Sequence, residues 1–157
     1  MIGKTLNRRG DGPIKSLDAG KYAYVDISSD GAIVAIGSYS DGIISVHSYD
    51  STSNQWTQRG NNITFDPFVE PGFSMSMSAD GNRVAFSTNS VSVYTYDENS
   101  NDWTPCGDTP IGSPVILSSM GNKLTIGNDS TNTAQMYETG NKVSNHHVPS
   151  DVKVQTI

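Results

Sequence analysis

Of the 157 residues only one is cysteine, Cys106, so no disulfide forms within the chain and a cystine-stapled scaffold is excluded. Charge is sparse as well. Asp, Glu, Lys and Arg make up 17% of the residues, and 16 acidic side chains outnumber 10 basic ones for a net charge of −6. Proteins that hold nucleic-acid backbones do so with clustered Lys and Arg, so a general nucleic-acid binder is not expected. The one small basic group, Lys4, Arg8, Arg9 and Lys15, reads as charge on an exposed sheet edge, where it discourages aggregation between sheets. No apolar run has the length of a signal-peptide core or a membrane span, and membrane insertion is not expected. Together with the lone cysteine, this makes a reducing, intracellular setting the default expectation. On that expectation the sequons at Asn62 and Asn128 are without consequence, because glycosylation needs secretion.

Helical periodicity is absent too. What the chain has instead is alternation, with many Ser, Asn, Gly and Thr, a composition suited to β structure. Phe73, Met75 and Met77 alternate with Ser74, Ser76 and Ser78; Asp80-Gly81 supplies a turn, expected to be a two-residue hairpin; Val84 and Phe86 resume the alternation. Val91 to Asp97 forms a third run, Asp97 to Asp102 a polar connection, and Trp103 opens a short fourth strand that stops at Gly107.

The same pattern occurs before this stretch and, degraded, after it. Ser28-Ser29-Asp30-Gly31 matches Ser78-Ala79-Asp80-Gly81, Ile44 to Asp50 matches Val91 to Asp97, and Trp56 with Gly60 matches Trp103 with Gly107. In the third unit Ser118-Ser119-Met120-Gly121 takes the turn position, and Ala134 to Glu138 aligns with Val93 to Asp97, Tyr137 against Tyr96. A fourth strand is missing there. Leu6 to Ile14 aligns with Trp56 to Ile63 and with Trp103 to Ile111, so the N-terminal segment reads as an orphan fourth strand.

Ser-x-Asp-Gly-x-x-Val-Ala, then Val-x-Val-Tyr-x-Tyr-Asp, then Trp-x-x-x-Gly resembles the blade repeats of β-propellers of the FG-GAP-like and WD-like kinds, over about residues 4–140. The resemblance implies an all-β fold of three four-stranded antiparallel propeller-like blades, with the N-terminal strand completing the last. The chain lacks the Asp-x-Asp-x-Asp-Gly loops of the first kind and the Gly-His and Trp-Asp pairs of the second, so no binding residues carry over. A β-trefoil is the alternative. The expected layout is a single repeat domain with units at about 15–60, 61–107 and 108–140, strand 4–10 joining the last, and an irregular tail at 141–157. Propellers close with about four to eight blades. A homodimer or larger assembly, each N-terminal strand completing its partner's last blade, is therefore the expected way to close the ring.

Candidate sites are few. Arg9-Gly10-Asp11 is the tripeptide of integrin ligands, but the repeat accounts for it through Arg59-Gly60-Asn61. Asp97, Asn99 and Asn101, echoed by Asp50, Thr52 and Asn54, have the oxygen spacing that begins a calcium loop without its glycine or closing glutamate, and read as local turns. His47, His146 and His147 have no spaced partners for zinc, and Cys106 lacks the context of a nucleophile. His47 stands where the next unit has Tyr94, which packing or surface display explains. Tyr49, Trp56, Tyr94, Tyr96 and Trp103 could form a platform for sugars, although their recurrence points to packing between repeats. No catalytic residue, metal or cofactor is indicated and the ligand is unknown. The expected function is accordingly a non-enzymatic scaffold working by protein–protein or self-association, for instance as a structural subunit of a larger assembly such as a viral shell; the alternative is a carbohydrate-binding module, and the third a calcium-dependent one.

Overall fold

The structure, a computed structural model, describes residues 7–14, 23–67, 73–106, 111–128 and 131–139. Among them there are strands and no helix, grouped in three antiparallel sheets in chain order. The first sheet runs β1 (Ala23–Ile27), β2 (Ile33–Ser38), β3 (Ile43–Asp50), β4 (Gln55–Gln58), with β5 (Ile63–Thr64) also pairing β3. The second runs β6 (Ser74–Met77), β7 (Arg83–Ser87), β8 (Val91–Asp97), β9 (Asp102–Pro105). The third has β10 (Val115–Leu117), β11 (Lys123–Asn128) and β12 (Thr133–Glu138).

Each sheet buries both faces only where another sheet covers it. Ala35, Ile44, Val46 and Ile63 of the first sheet pack against Phe73, Met77, Val84, Phe86 and Trp103 of the second. Ala85, Val91 and Val93, on the second sheet's other face, pack against Val115, Leu117, Leu124 and Ile126 of the third. The alternation seen in the sequence is thus read twice, once per face. Polar side chains on β1 and β6 also bridge the sheets. Asp26 Oδ2 accepts the Met77 N–H at 2.7 Å, and the Ser74 and Ser76 hydroxyls accept the Val115 and Leu117 N–H groups at 3.1 and 3.0 Å.

The Asp-Gly turns differ from the two-residue hairpin expected. Ser78 N–H pairs with Arg83 C=O at 3.0 Å, which leaves a four-residue loop, Ala79 to Asn82. The Asp80 carboxylate accepts from the Ser78 hydroxyl (2.5 Å) and the Asn82 N–H (3.0 Å), while Gly81 adopts φ 70°. A side chain able to cap its own loop and a glycine free to go left-handed make the longer loop stable. Asp30 does the same for Ser28 and Ala32 in the first sheet.

The third repeat is offset from the sequence alignment. Tyr137 pairs with Leu124 as Tyr94 pairs with Val84, and Thr139 N–H bonds Asn122 C=O as Tyr96 N–H bonds Asn82 C=O. Tyr137 therefore holds the place of Tyr94, not Tyr96. The β11–β12 ladder continues by the pair Asn128↔Thr133 and its connection is one residue longer, which similarity between short Tyr-containing runs cannot reveal.

Of the expected strand 4–10, residues 7–10 are described, and they enter no strand ladder. They lie on the outer edge of the first sheet, where Trp56 Nε1–H donates to Arg9 C=O (3.2 Å) and Asp11 N–H to Asn54 C=O (3.1 Å). Beside β12 no outer strand is found among the described residues.

Candidate functional site

Arginine clasps hold neighbouring sheets together, and they absorb most residues the sequence singled out. Arg59 Nη1 donates to Gly81 C=O (3.0 Å), Nη2 to Asn82 Oδ1 (2.6 Å), and the guanidinium lies 3.8 Å above the Tyr96 ring. Trp103 Nε1–H closes the motif on Arg59 C=O at 2.8 Å. Gly60 admits this indole: a Cβ there would come within 2.8 Å of Trp103 Cδ1. Arg9 repeats the clasp on Gly31 C=O (2.8 Å) and over Tyr49 (4.9 Å). At the next junction Cys106 stands in the arginine's place, its N–H bonded to Val93 C=O as Arg59 N–H is to Val46 C=O. Arg83 substitutes from β7, donating to Gly121 C=O (2.9 Å) and Thr139 C=O (2.6 Å). The Arg9-Gly10-Asp11 tripeptide is thus built into this clasp, with Asp11 held by the side-chain amides of Asn54 and Gln55. The rings of Tyr49 with Trp56, and of Tyr96 with Trp103, meet tilted, with centroids 5.3 Å apart, as parts of the same device.

The polar connections are closed on themselves. Asp50 accepts from Thr52 N–H (2.8 Å) and Ser53 Oγ–H (2.6 Å), and Asp97 from Asn99 N–H (2.9 Å) and Ser100 Oγ–H (3.1 Å). Asn54 and Asn101, at φ 56° and 53°, accept the hydroxyls of Tyr49 and Tyr96. The Ser53 hydroxyl and Thr52 N–H hold the Asp50 carboxyl below its ordinary range; the Asn99 N–H and Ser100 hydroxyl do so for Asp97. These are Asx turns.

A polar cleft lies against the first sheet. It measures about 530 Å³, within the range of small-molecule sites, and is lined by Asp11, Gly12, Pro13, Ile14, His47, Gln55, Trp56 and Gln58. β3 and β4 place His47 opposite Gln58, and Tyr49 opposite Trp56, on one face of the first sheet; residues 11–14 complete the lining. His47 is 5% exposed. Its Nε2 lies 3.2 Å from the buried Ser45 hydroxyl, and burial pushes its pKa below the ordinary 6.5, so the imidazole is neutral at pH 7. Gln58 donates its amide to Gly60 C=O (3.1 Å) and Asn62 Oδ1 (2.9 Å), and Gln55 donates to Asp11 Oδ2 (3.1 Å). Their carbonyl oxygens remain as acceptors. From the sequence alone His47 reads as packing or display; the signal there is the substitution of His for Tyr at one repeat position. Cys106 is exposed, 2.8 Å from the Thr95 hydroxyl, and is not among the residues lining the cleft. His146, His147, Lys4 and Lys15 lie outside the described residues.

No family model matches the chain, and no curated protein does. Solved structures do. The Cps50 (Swd1) β-propeller domain of Myceliophteria thermophila superposes with a TM-score of 0.53 at 15% identity, over 73% of this chain and 39% of that one. The fold is of the β-propeller type. Of the two architectures expected, the propeller is the one found, and each sheet corresponds to a blade. Two further neighbours are described as a "putative 6-phosphogluconolactonase", from Bacteroides uniformis (TM-score 0.56, 19% identity, 73% of this chain and 35% of that one) and from Bacteroides fragilis (0.56, 20%, 73% and 34%). The chain spans about a third of the length of these structures. They correct the expected function. Propellers carrying an enzyme's name stand among the fold's neighbours, so neither the non-enzymatic scaffold nor the sugar-binding module is retained. The absence of a catalytic motif excludes little, because folds of this kind host sites assembled from separate strands and loops, with no contiguous signature.

Proposed function

We propose that the chain belongs to a propeller enzyme that opens small polar esters or lactones, with His47 as proton acceptor in the cleft behind residues 11–14. The observation that carries this reading is the break in the repeat. Where the second and third blades have Tyr94 and Tyr137, the first has a buried, uncharged imidazole beside a buried serine, facing a cleft lined by amides and a carboxylate. Chains depart from their own packing pattern mainly where function requires it. The neighbours' names suggest the substrate class, a lactone.

Neutral His47 takes a proton from water as the oxygen attacks the ester carbonyl. The ring C–O bond then breaks, and the same nitrogen returns the proton to the departing alkoxide. The carbonyl oxygens of Gln55 and Gln58 receive substrate hydroxyls. Ring opening of glucono-δ-lactone, followed by pH-stat, tests the reading. Wild-type chain is expected to exceed the buffer rate, and His47→Gln to lower kcat by about 10²–10⁴-fold, the usual weight of a general base. A folded wild-type chain that adds nothing to the buffer rate refutes it.

A further inference from the structure

Among the described residues two blade faces are left without a neighbour, and they match. On the first blade, Val25 and Ile27 are 71% and 56% exposed; they share a sheet face with Val34, Ile36 and His47. In the second blade the equivalent Met75 and Met77 pack against the first blade. On the third blade, Ile116 and Met136 are 61% and 49% exposed, and both flank Thr125 on one face. By strand register Met136 holds the position of Val46 and Val93, which are buried at the two junctions inside the chain.

The turns show how the series continues. Ser29 N–H donates to Ala79 C=O (2.8 Å) and Ala79 N–H to Ser119 C=O (2.8 Å). Among the described residues Ser119 N–H then donates to nothing and Ser29 C=O accepts nothing, so the ladder has a free donor at one end and a free acceptor at the other. The polar bridge matches as well. Asp26 and Ser76 each accept an N–H from the following blade, from Met77 and Leu117. The third blade has Ile116 at that position and can accept none. Ile27, the residue that would present this N–H, already gives it to its own Asp26 Oδ1 at 2.8 Å. The apolar Ile116 therefore fits the first blade without stranding a donor. The arginine clasp for this junction is also in place, on Arg9 and Gly31.

We infer that a second copy of this chain docks its third blade on the first blade of its partner, reciprocally, so that two copies close one propeller ring across the His47 cleft. A head-to-tail contact closes when its rotation completes a circle, and three blades from each copy bring the ring within the four to eight at which propellers close. The cleft opens on the same face as Val25 and Ile27, so the partner's third blade becomes its missing wall. This rests on the geometry of the faces and not on the chemistry proposed for His47.

Light scattering on the full chain tests it. The wild type is expected at twice 16.8 kDa. Met136→Asp and Ile27→Lys alone each bring it to 16.8 kDa with an unchanged far-ultraviolet spectrum, since both side chains are exposed in the single chain and Met136 holds the place of the buried Val46 and Val93. The double variant, which sets the two charges against each other, regains the larger mass. A folded wild type that stays at 16.8 kDa overturns the inference and gives the flank to a different blade. A dimer that survives Met136→Asp overturns it as well. Lactone opening by His47 is scored separately, so failure of one leaves the other standing.

Discussion

Replacing Arg59 by methionine measures what holds one blade to the next. Methionine keeps most of the aliphatic stem and removes the guanidinium, with its bonds to Gly81 C=O and Asn82 Oδ1 and its place 3.8 Å above Tyr96. Hydrogen bonds from a charged group contribute about 1.5–3 kcal/mol each, and a cation over a ring about 0.5–2. The groups share one partly buried site and do not add, so the expected loss is about 3 kcal/mol. For a chain of this size that lowers Tm by about 6–12 °C. Arg9→Met is the internal control. Its clasp is exposed, with one good bond at 2.8 Å and the ring 4.9 Å away, so the loss should be about 1 kcal/mol or less. Urea unfolding of both variants at one protein concentration, with unchanged m-values, reads the difference directly. Equal losses, or a loss below about 0.5 kcal/mol for Arg59→Met, would refute the clasp as the dominant polar contact between blades.

Two further outcomes are expected. Arg83→Met should destabilise the junction of the second and third blades, and adding Cys106→Arg should restore part of the loss, because Cys106 has the backbone register of Arg59; a double variant no more stable than Arg83→Met rejects the equivalence. Acid should act in two stages. The pKa of His47 is lowered by burial, so the unfolded chain binds its proton first, and stability declines as pH falls below 6.5. Asp30 is lowered by the Ser28 hydroxyl and the Ala32 N–H; in Asp80 burial opposes, but the Ser78 hydroxyl and Asn82 prevail. The stability these carboxylates contribute is full above 3.8 and is lost below it, as pH passes through their folded values. His47→Gln should abolish only the first stage in a pH series of urea midpoints.

The sequence by itself determined the strands, their alternation and the repeat, because these depend on neighbouring residues: Phe73-x-Met75-x-Met77, the Asp-Gly loops and the Trp-x-x-x-Gly ends carry their own geometry. It also held the anomaly at His47, though not its meaning. Tertiary structure decided the rest. Whether Val25 is covered as Met75 is depends on which sheet stands in front of it, and the β11–β12 register depends on one added pair. That Arg83 does at one junction what Arg59 does at another follows from convergence on a shared carbonyl position, not from any likeness in sequence. Alternation is a local property of the chain. Which face is buried, and which side chain is left facing a cleft, is fixed only when sheets distant in sequence meet.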